Sequence, residues 1–233
     1  MLYYHKNIGK IYYGDQQIKE IWCGSKKVYG PTAYGLPQGN EYIPYGYYLD
    51  GFKLMTTEGK LVADNVLQAI GSEANGGLRG GKMTFILYLK EGKLFHVYAF
   101  GMYDEMGIHT EISYNNSIDN GSGGWSDIHG LRTIREGSFE AFATKNRRAC
   151  YISQRECYPT EDIVAKVSCW NFMSLYGFAL TYDGRVLNFD HSTHEWSQCR
   201  SGAVNIIGRF YLNTAHEWRD IFTDEMFEMP EDI

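Results

Sequence analysis

The residues that could bind a metal ion are few, and their spacing is not typical of a metal site. His191 and His194 lie three residues apart and Glu195 follows them, so imidazole and carboxylate ligands are close together in the chain. The surrounding segment is rich in turn-forming residues, which favours exposed loop histidines. Residues 115–121 are rich in oxygen donors but lack the ligand spacing and the terminal Glu of an EF-hand loop. We therefore expect no metal site.

Catalytic motifs are absent from the sequence as well. There is no G-x-S-x-G motif, which would place a serine nucleophile on a sharp turn. Residues 71–81 are rich in glycine but match neither a P-loop nor a dinucleotide-binding pattern, and we interpret them as a long loop. Asp104, Glu105 and Glu111 could form a glycosidase pair only if the fold held two of them at a suitable separation. The sequence therefore predicts a protein that is not an enzyme and that binds no cofactor.

Aromatic residues in or near predicted loops are the one functional hint with a physical mechanism. Tyrosine and tryptophan offer a large apolar face with a polar tip at a low cost in side-chain entropy, which suits both sugar stacking and protein contacts. Packing inside the same molecule is the alternative for each ring. The residues that we expect to contact a glycan or a protein are Tyr98, Tyr103, Tyr114 and Trp125.

Composition excludes several classes of function. The chain has 233 residues and a formal net charge of −6, so it offers no basic stripe for nucleic acid. The N-terminal sequence has no apolar region of the kind that a secretory signal needs, and no apolar run approaches the roughly 18 residues of a membrane-spanning helix. Five cysteines without a C-x-x-C pair predict reduced thiols. We expect a soluble protein made in a cytoplasm, without membrane insertion.

A turn-linked β-hairpin is the recurring element that must position these residues. Residues 176–189 contain two runs of alternating apolar residues, such as Phe178 and Leu180, on either side of Asp183-Gly184. Alternation with a period of two is typical of a half-buried strand, and Asp-Gly predicts a two-residue turn with positive φ at both positions. Weaker copies of this unit are centred on Gly59, Gly92, Asn146 and Thr214, so the sequence predicts an all-β fold.

The first thirty residues contain a compact duplication. Residues 11–18 (IYYGDQQI) are followed ten residues later by residues 21–28 (IWCGSKKV), which predicts a β-meander of three short strands. Such a meander buries too little apolar surface to be stable alone, so we expect residues 1–30 to dock on another surface. The predicted assembly interface comprises Ile11, Tyr12, Tyr13, Ile18, Ile21, Trp22, Val28 and Tyr29.

Composition places a boundary after this segment. Residues 31–46 contain three of the five prolines, which remove ladder donors and fix φ, so we interpret them as a linker. Residues 47–233 then form the main β domain. The alternative for residues 1–30 is that their strands form an edge of that domain.

Two resemblances follow from these motifs. The duplicated N-terminal pattern resembles short segments at the start of bacteriophage tail and baseplate proteins, in which the segment serves for attachment. Trp170 followed by GFALTYDGRV at 177–186 resembles the repeat of the regulator-of-chromosome-condensation family, whose members are β-propellers. That resemblance implies an irregular propeller-like domain, with Trp218 to Ile221 as a strand that completes the first blade. A β-sandwich built from unrelated hairpins is the alternative.

Taken together, the resemblances imply a virion structural protein of a phage tail or baseplate, synthesised in the host cytoplasm. Its expected partners are other virion proteins, further copies of itself, and a glycan or protein of the host surface. Two other functions remain open at this point. One is a propeller-type interaction module inside a bacterial cell, and the other is a glycan-active enzyme with its site in a propeller mouth.

Overall fold

The computed structural model describes four strand segments within residues 11–29 and then residues 47–76, 81–104, 107–135, 138–153, 156–171 and 174–228. In these ranges the regular elements are β-strands and one 3₁₀ turn, Ile118–Gly121. The prediction of an all-β fold is confirmed. Cys150, Cys157, Cys169 and Cys199 carry free thiols.

The duplicated N-terminal segment forms two hairpins. Each ten-residue unit pairs with itself, with Ile11 opposite Ile18 in the first unit and Cys23 opposite Lys26 in the second. Only two residues separate the strands within a unit, so each unit closes into its own hairpin. The prediction of one three-stranded meander is therefore wrong. The strands are β1 (Ile11–Tyr13), β2 (Gln16–Ile18), β3 (Ile21–Cys23) and β4 (Lys26–Tyr29). The predicted linker, residues 31–46, lies outside the described residues.

From residue 47 onward the chain forms five antiparallel sheets, A to E, each a meander of consecutive strands. Sheet A contains β5 (Tyr47–Asp50), β6 (Lys53–Thr56) and β7 (Leu61–Ala63). Sheet B contains β8 (Val66–Gly76), β9 (Gly81–Lys90), β10 (Lys93–Asp104) and β11 (Gly107–Ser117). Sheet C contains β12 (Trp125–Arg135), β13 (Ser138–Lys145), β14 (Arg148–Ser153) and β15 (Glu156–Pro159). Sheet D contains β16 (Val164–Asn171), β17 (Leu175–Thr181), β18 (Val186–Asp190) and β19 (Glu195–Arg200). Sheet E contains β20 (Ala203–Ile207), β21 (Phe210–Asn213) and β22 (Trp218–Asp220).

The sheets pack in chain order, and the first strand of each lies beside the first strand of the next from β8 through β12 and β16 to β20. Side chains join this row. The Gln68 amide accepts a hydrogen bond from the Ile128 backbone N–H at 2.9 Å and donates one to the Ile128 carbonyl at 2.8 Å. The Ser72 hydroxyl accepts one from the Thr133 N–H at 2.9 Å. Between sheets D and E, the Lys166 ammonium donates a hydrogen bond to the Asn205 side-chain oxygen at 2.9 Å.

This succession of sheets shares its strand order with propeller blades, but the row does not close within the described residues. No extensive packing of β20–β22 on β5–β7 is present there. The C-terminal strand β22 pairs with β21 and so belongs to sheet E. The prediction that Trp218 to Ile221 completes the first blade is therefore wrong. The backbone of Glu225 and Phe227 instead runs along the outer edge of β22, with N–H···O distances of 3.0 and 2.8 Å.

The central predicted hairpin is present, although its turn differs from the prediction. Leu180 pairs with Val186, and the Gly184 N–H donates to the Thr181 carbonyl at 3.1 Å. Only Gly184 of the Asp-Gly pair has a positive φ, at 84°. The connection is therefore a three-residue loop with a left-handed glycine, which is the next most common hairpin geometry after the two-residue turn.

Two other sequence interpretations need correction. Residues 71–81 do not form a long loop, because 71–76 continue β8 and Gly81 begins β9. The turn of the third predicted hairpin is Asn146-Arg147 rather than Lys145-Asn146, with φ of 49° and 64°. Positive φ at both positions is the type I′ requirement, and asparagine meets it at low cost.

The apolar cores lie between successive sheets. Between B and C, a large cluster includes Phe85, Leu87 and Phe139, all at most 2% exposed. Between C and D, the Phe142 ring is fully buried and packs against Gly177, where an added Cβ would lie 2.2 Å from a ring carbon. Any larger residue at position 177 would displace that ring. Close approach of sheets C and D therefore depends on this glycine.

Candidate functional site

Three of the four predicted ligand-contact aromatics lie in one element, the hairpin of β10 and β11. Tyr98 stands opposite Tyr114 in the register, and Tyr103 stands opposite Ile108. The Tyr98 ring is half-buried, with its centroid 5.0 Å from that of Phe85. Sequence reasoning treated these residues as separate loop positions, and the strand pairing brings them together.

Trp125 lies apart from the other three and does not present its ring to solvent. It begins β12, is 3% exposed, and donates its backbone N–H to the Gly92 carbonyl at 3.0 Å. The Lys145 ammonium lies 5.2 Å from the centre of the Trp125 ring and bonds to the Asp119 carboxylate and, at 2.7 Å, to the Ser122 hydroxyl. The expectation of an exposed ring at Trp125 is therefore wrong, because this side chain anchors the loop before β12.

An aromatic rim lies at the outer strands of sheets C and D, with the His194 side chain exposed and the Tyr158 and Trp196 side chains half-buried. The Tyr158 ring on β15 stacks on the His194 ring in the β18–β19 turn, with centroids 4.6 Å apart. The Tyr158 hydroxyl donates to the Glu156 carboxylate at 2.5 Å, and this bond raises the pKa of Tyr158. The Trp196 indole N–H donates to the Tyr158 carbonyl at 2.9 Å, which fixes β19 against β15. We name Glu156, Tyr158, His194 and Trp196 the C–D rim.

Below this rim, a buried carboxylate joins the two sheets. Glu140 on β13 accepts hydrogen bonds from the Tyr151 hydroxyl at 3.2 Å and from the Leu175 backbone N–H at 3.3 Å. The Arg132 guanidinium lies 3.4 Å and the His191 Nδ1 atom 3.6 Å from its oxygens. Burial raises the pKa of Tyr151, and the neighbouring Glu140 charge adds to that effect. The carboxylate therefore accepts two hydrogen bonds and faces the Arg132 guanidinium, which is what allows a charge to be buried here.

A second polar group lies on the row of first strands between the same two sheets. The His129 ring on β12 bonds through Nε2 to the Thr144 hydroxyl at 2.7 Å. Burial lowers the pKa of His129 to about 4, and the nearby Lys166 charge adds to that effect. Burial also lowers the pKa of Lys166. His129 is therefore neutral at physiological pH.

The arrangement of the C–D rim is suited to binding. The C–D rim offers flat aromatic faces beside a carboxylate, which can stack on a sugar ring and accept hydrogen bonds from hydroxyls. Within the described ranges, no group of three or more His, Cys, Asp or Glu side chains could hold a metal ion. His191 and His194, the pair noticed in the sequence, point to different partners, Glu140 and Tyr158.

Sequence reasoning missed the C–D rim because its members come from two hairpins about forty residues apart. The histidine spacing was the only signal, and nothing in it indicated which rings would stack.

The eight predicted interface residues fall on β1 to β4, while their side chains lie outside the described residues. In the part of the chain that is described, no helix is long and apolar enough to cross a membrane.

Comparison with known proteins gave no match. No family model fits the sequence, and no curated protein or solved structure is significantly similar to it.

Proposed function

We propose that this protein is a structural subunit of a bacteriophage tail or baseplate. In this proposal the N-terminal hairpins attach the chain to neighbouring virion proteins, and residues 47–233 face outward as a β domain. The chain is made in the host cytoplasm and ends in the virion, with several copies in each particle.

The observation that carries the proposal is the pair of isolated N-terminal hairpins. Each has strands of three or four residues, and each pairs only within itself among the described strands. A single two-stranded hairpin is at best marginally stable in water. Two such hairpins in a tandem ten-residue repeat gain stability most readily by docking on a surface, which supports an attachment role.

Deleting residues 1–30 tests this role. The truncated chain keeps all five sheets, so we expect it to melt cooperatively and yet no longer assemble when co-expressed with the products of the flanking genes. Two point variants sharpen the test in the full chain. Ile21→Ser removes a predicted interface residue and should weaken assembly, while Gln17→Ser, a change at a polar position of the neighbouring hairpin, should leave it intact.

Two results would count against attachment. Loss of cooperative melting in the truncation would make residues 1–30 part of the core of the β domain. Equal assembly of the truncated and full chains would assign the docking surface elsewhere and favour a free-standing interaction module.

The C–D rim favours a second candidate function, recognition of a host-surface glycan. The Tyr158–His194 stack, in which Tyr158 is half-buried and His194 is exposed, lies beside the Glu156 carboxylate. We expect the full chain to bind members of a glycan array and Tyr158→Ala to abolish that binding. Tyr182→Ala is the matched control, since Tyr182 is 64% exposed in a turn of sheet D. A blank array, or equal loss in both variants, would leave an architectural role, and turnover of a polysaccharide would instead support an enzyme.

A further inference from the structure

The outer edges of the sheets differ in how they are protected against strand addition. An unpaired edge exposes N–H and C=O groups that another strand can bind, and proteins blunt such edges with short strands, proline, charged residues or covering segments. Strand β7 has three residues, and β15 has four and ends in Pro159. Strand β19 has six residues, beginning with Glu195 and ending with Arg200. The segment around Met226 covers the edge of β22.

Strand β11 is the exception among the described edges. It is the outer strand of sheet B, it has eleven residues, and its sequence GIHTEISYNNS contains no proline, lysine or arginine. Its one irregularity is a register shift against β10, where Tyr114 pairs with Tyr98 and Ile112 pairs with Ala99. Ser113 is thus an extra residue, and the bulge ends a regular stretch that begins at Gly107.

We propose that the regular stretch of β11 pairs antiparallel with the same stretch of a second copy of this chain, around a two-fold axis at Thr110. The sequence Ile108-His109-Thr110-Glu111-Ile112 is self-complementary in that register. Isoleucine stands opposite isoleucine, histidine opposite glutamate, and threonine opposite threonine. Each of these cross-strand pairs is favourable.

Neighbouring registers are less favourable. An axis at Glu111 would place two glutamates directly opposite each other, and like charges in that position are destabilising. An axis at His109 would oppose two histidines and place Gly107 against Glu111. An axis between two residues would join positions from opposite faces of the sheet, because side chains alternate with a period of two. The sequence therefore favours a two-fold axis at Thr110 over the neighbouring registers.

The pairing would join two B sheets into one eight-stranded sheet through about four to six backbone hydrogen bonds. A symmetric dimer of this kind uses the same edge on both copies. The inference does not depend on the proposed function, since the dimer can form whether or not the chain is a tail subunit.

Opposite-charge variants at the axis test the pairing in the full chain. Thr110→Lys and Thr110→Glu each place like charges opposite each other in a homodimer, and a 1:1 mixture places lysine opposite glutamate. We expect the wild-type chain to dimerise with rising concentration in analytical ultracentrifugation. Each single variant should dimerise at least tenfold more weakly, and the mixture should restore the dimer. Ser197→Lys, on the edge strand β19, should dimerise like the wild type.

Three outcomes would overturn the proposal. The first is a wild-type chain that stays monomeric up to about 500 µM. The second is an equal effect of Thr110→Lys and Ser197→Lys, and the third is a mixture that remains monomeric. Circular dichroism melting of each variant shows whether the fold is retained, and the mixture keeps the test decisive because it uses the same two chains.

Discussion

Sheet C packs against sheet B and against sheet D, and different kinds of interaction hold the two junctions together. Strand β13 contributes to both. Phe139 and Ala141 join the apolar cluster shared with sheet B, whereas Glu140 and Phe142 face sheet D. The B–C junction is held mainly by apolar burial, with the Gln68 amide and the buried His96 ring, which packs on Phe139, beside it. The C–D junction adds a buried charge network and stacked aromatic rings, so adjacent residues of one strand serve two kinds of interface.

The difference determines which changes each junction tolerates. An apolar junction depends on volume and shape, and it responds little to pH. A junction that contains a buried carboxylate and a neutral histidine depends on the charge of those groups. Stability should therefore respond to side-chain volume at the B–C junction and to charge and pH at the C–D junction.

Truncation of Phe139 should give the largest effect. The ring is 2% exposed, and its centroid lies 5.2 Å from that of Phe85, so Phe139→Ala removes a buried ring and leaves a cavity. We expect the free energy of unfolding in urea at neutral pH to fall by about 4 kcal/mol. Phe139→Leu, which keeps most of the volume, should lose much less. Equal losses in the two variants would contradict a junction whose stability depends on the volume of this side chain.

The strand content of both junctions could be predicted from the sequence, whereas the pairing of faces could not. Alternating apolar residues and turn-forming residues indicated the hairpins, including the one closed at Gly184. Periodicity shows that Phe139 and Glu140 lie on opposite faces, but it does not show what covers each face. That depends on where sheets B and D come to lie, which is a property of packing between distant segments.

Neutralising Glu140 should give a smaller but more specific effect. Glu140→Gln keeps the shape of the side chain and removes the charge that faces Arg132 and His191. We expect a loss of about 3 kcal/mol in the free energy of unfolding, because the charge that faces Arg132 is lost and one of the two accepting oxygens is replaced by an amide NH2. Glu195→Gln, at an exposed position on β19 of sheet D, serves as the control and should change little. Equal effects of the two variants would mean that the Glu140 network does not stabilise the C–D junction.

The candidate site was hard to predict for the same reason, because packing between distant segments decides which of its side chains are exposed. Tyr98 and Tyr114 were chosen from the sequence as exposed aromatics, and their cross-strand pairing became visible only from the register. Trp125 was chosen by residue type alone, and it is buried beside Lys145. Residue type indicates what a side chain can do, but burial decides whether it is available, and burial here depends on which loop folds over it.

Acid should weaken the C–D junction through His129, and this is the smallest of the three effects. The pKa of His129 falls from 6.5 to about 4 on folding, so the unfolded chain binds the proton more tightly. The contribution is fully present above about pH 6.5 and is lost as the pH falls towards about 4. Between about pH 7.5 and about pH 5 we expect the free energy of unfolding to fall by about 2 kcal/mol through this group.

A variant that cannot titrate isolates the contribution of His129 from that of other acidic and basic groups. His129→Gln can still bond to the Thr144 hydroxyl, and it carries no charge at any pH. Urea unfolding of both proteins across this pH range should give a shallower acid loss for the variant, with the two curves closest near neutral pH. If both chains lose the same stability on acidification, then His129 does not contribute to the acid response of the C–D junction.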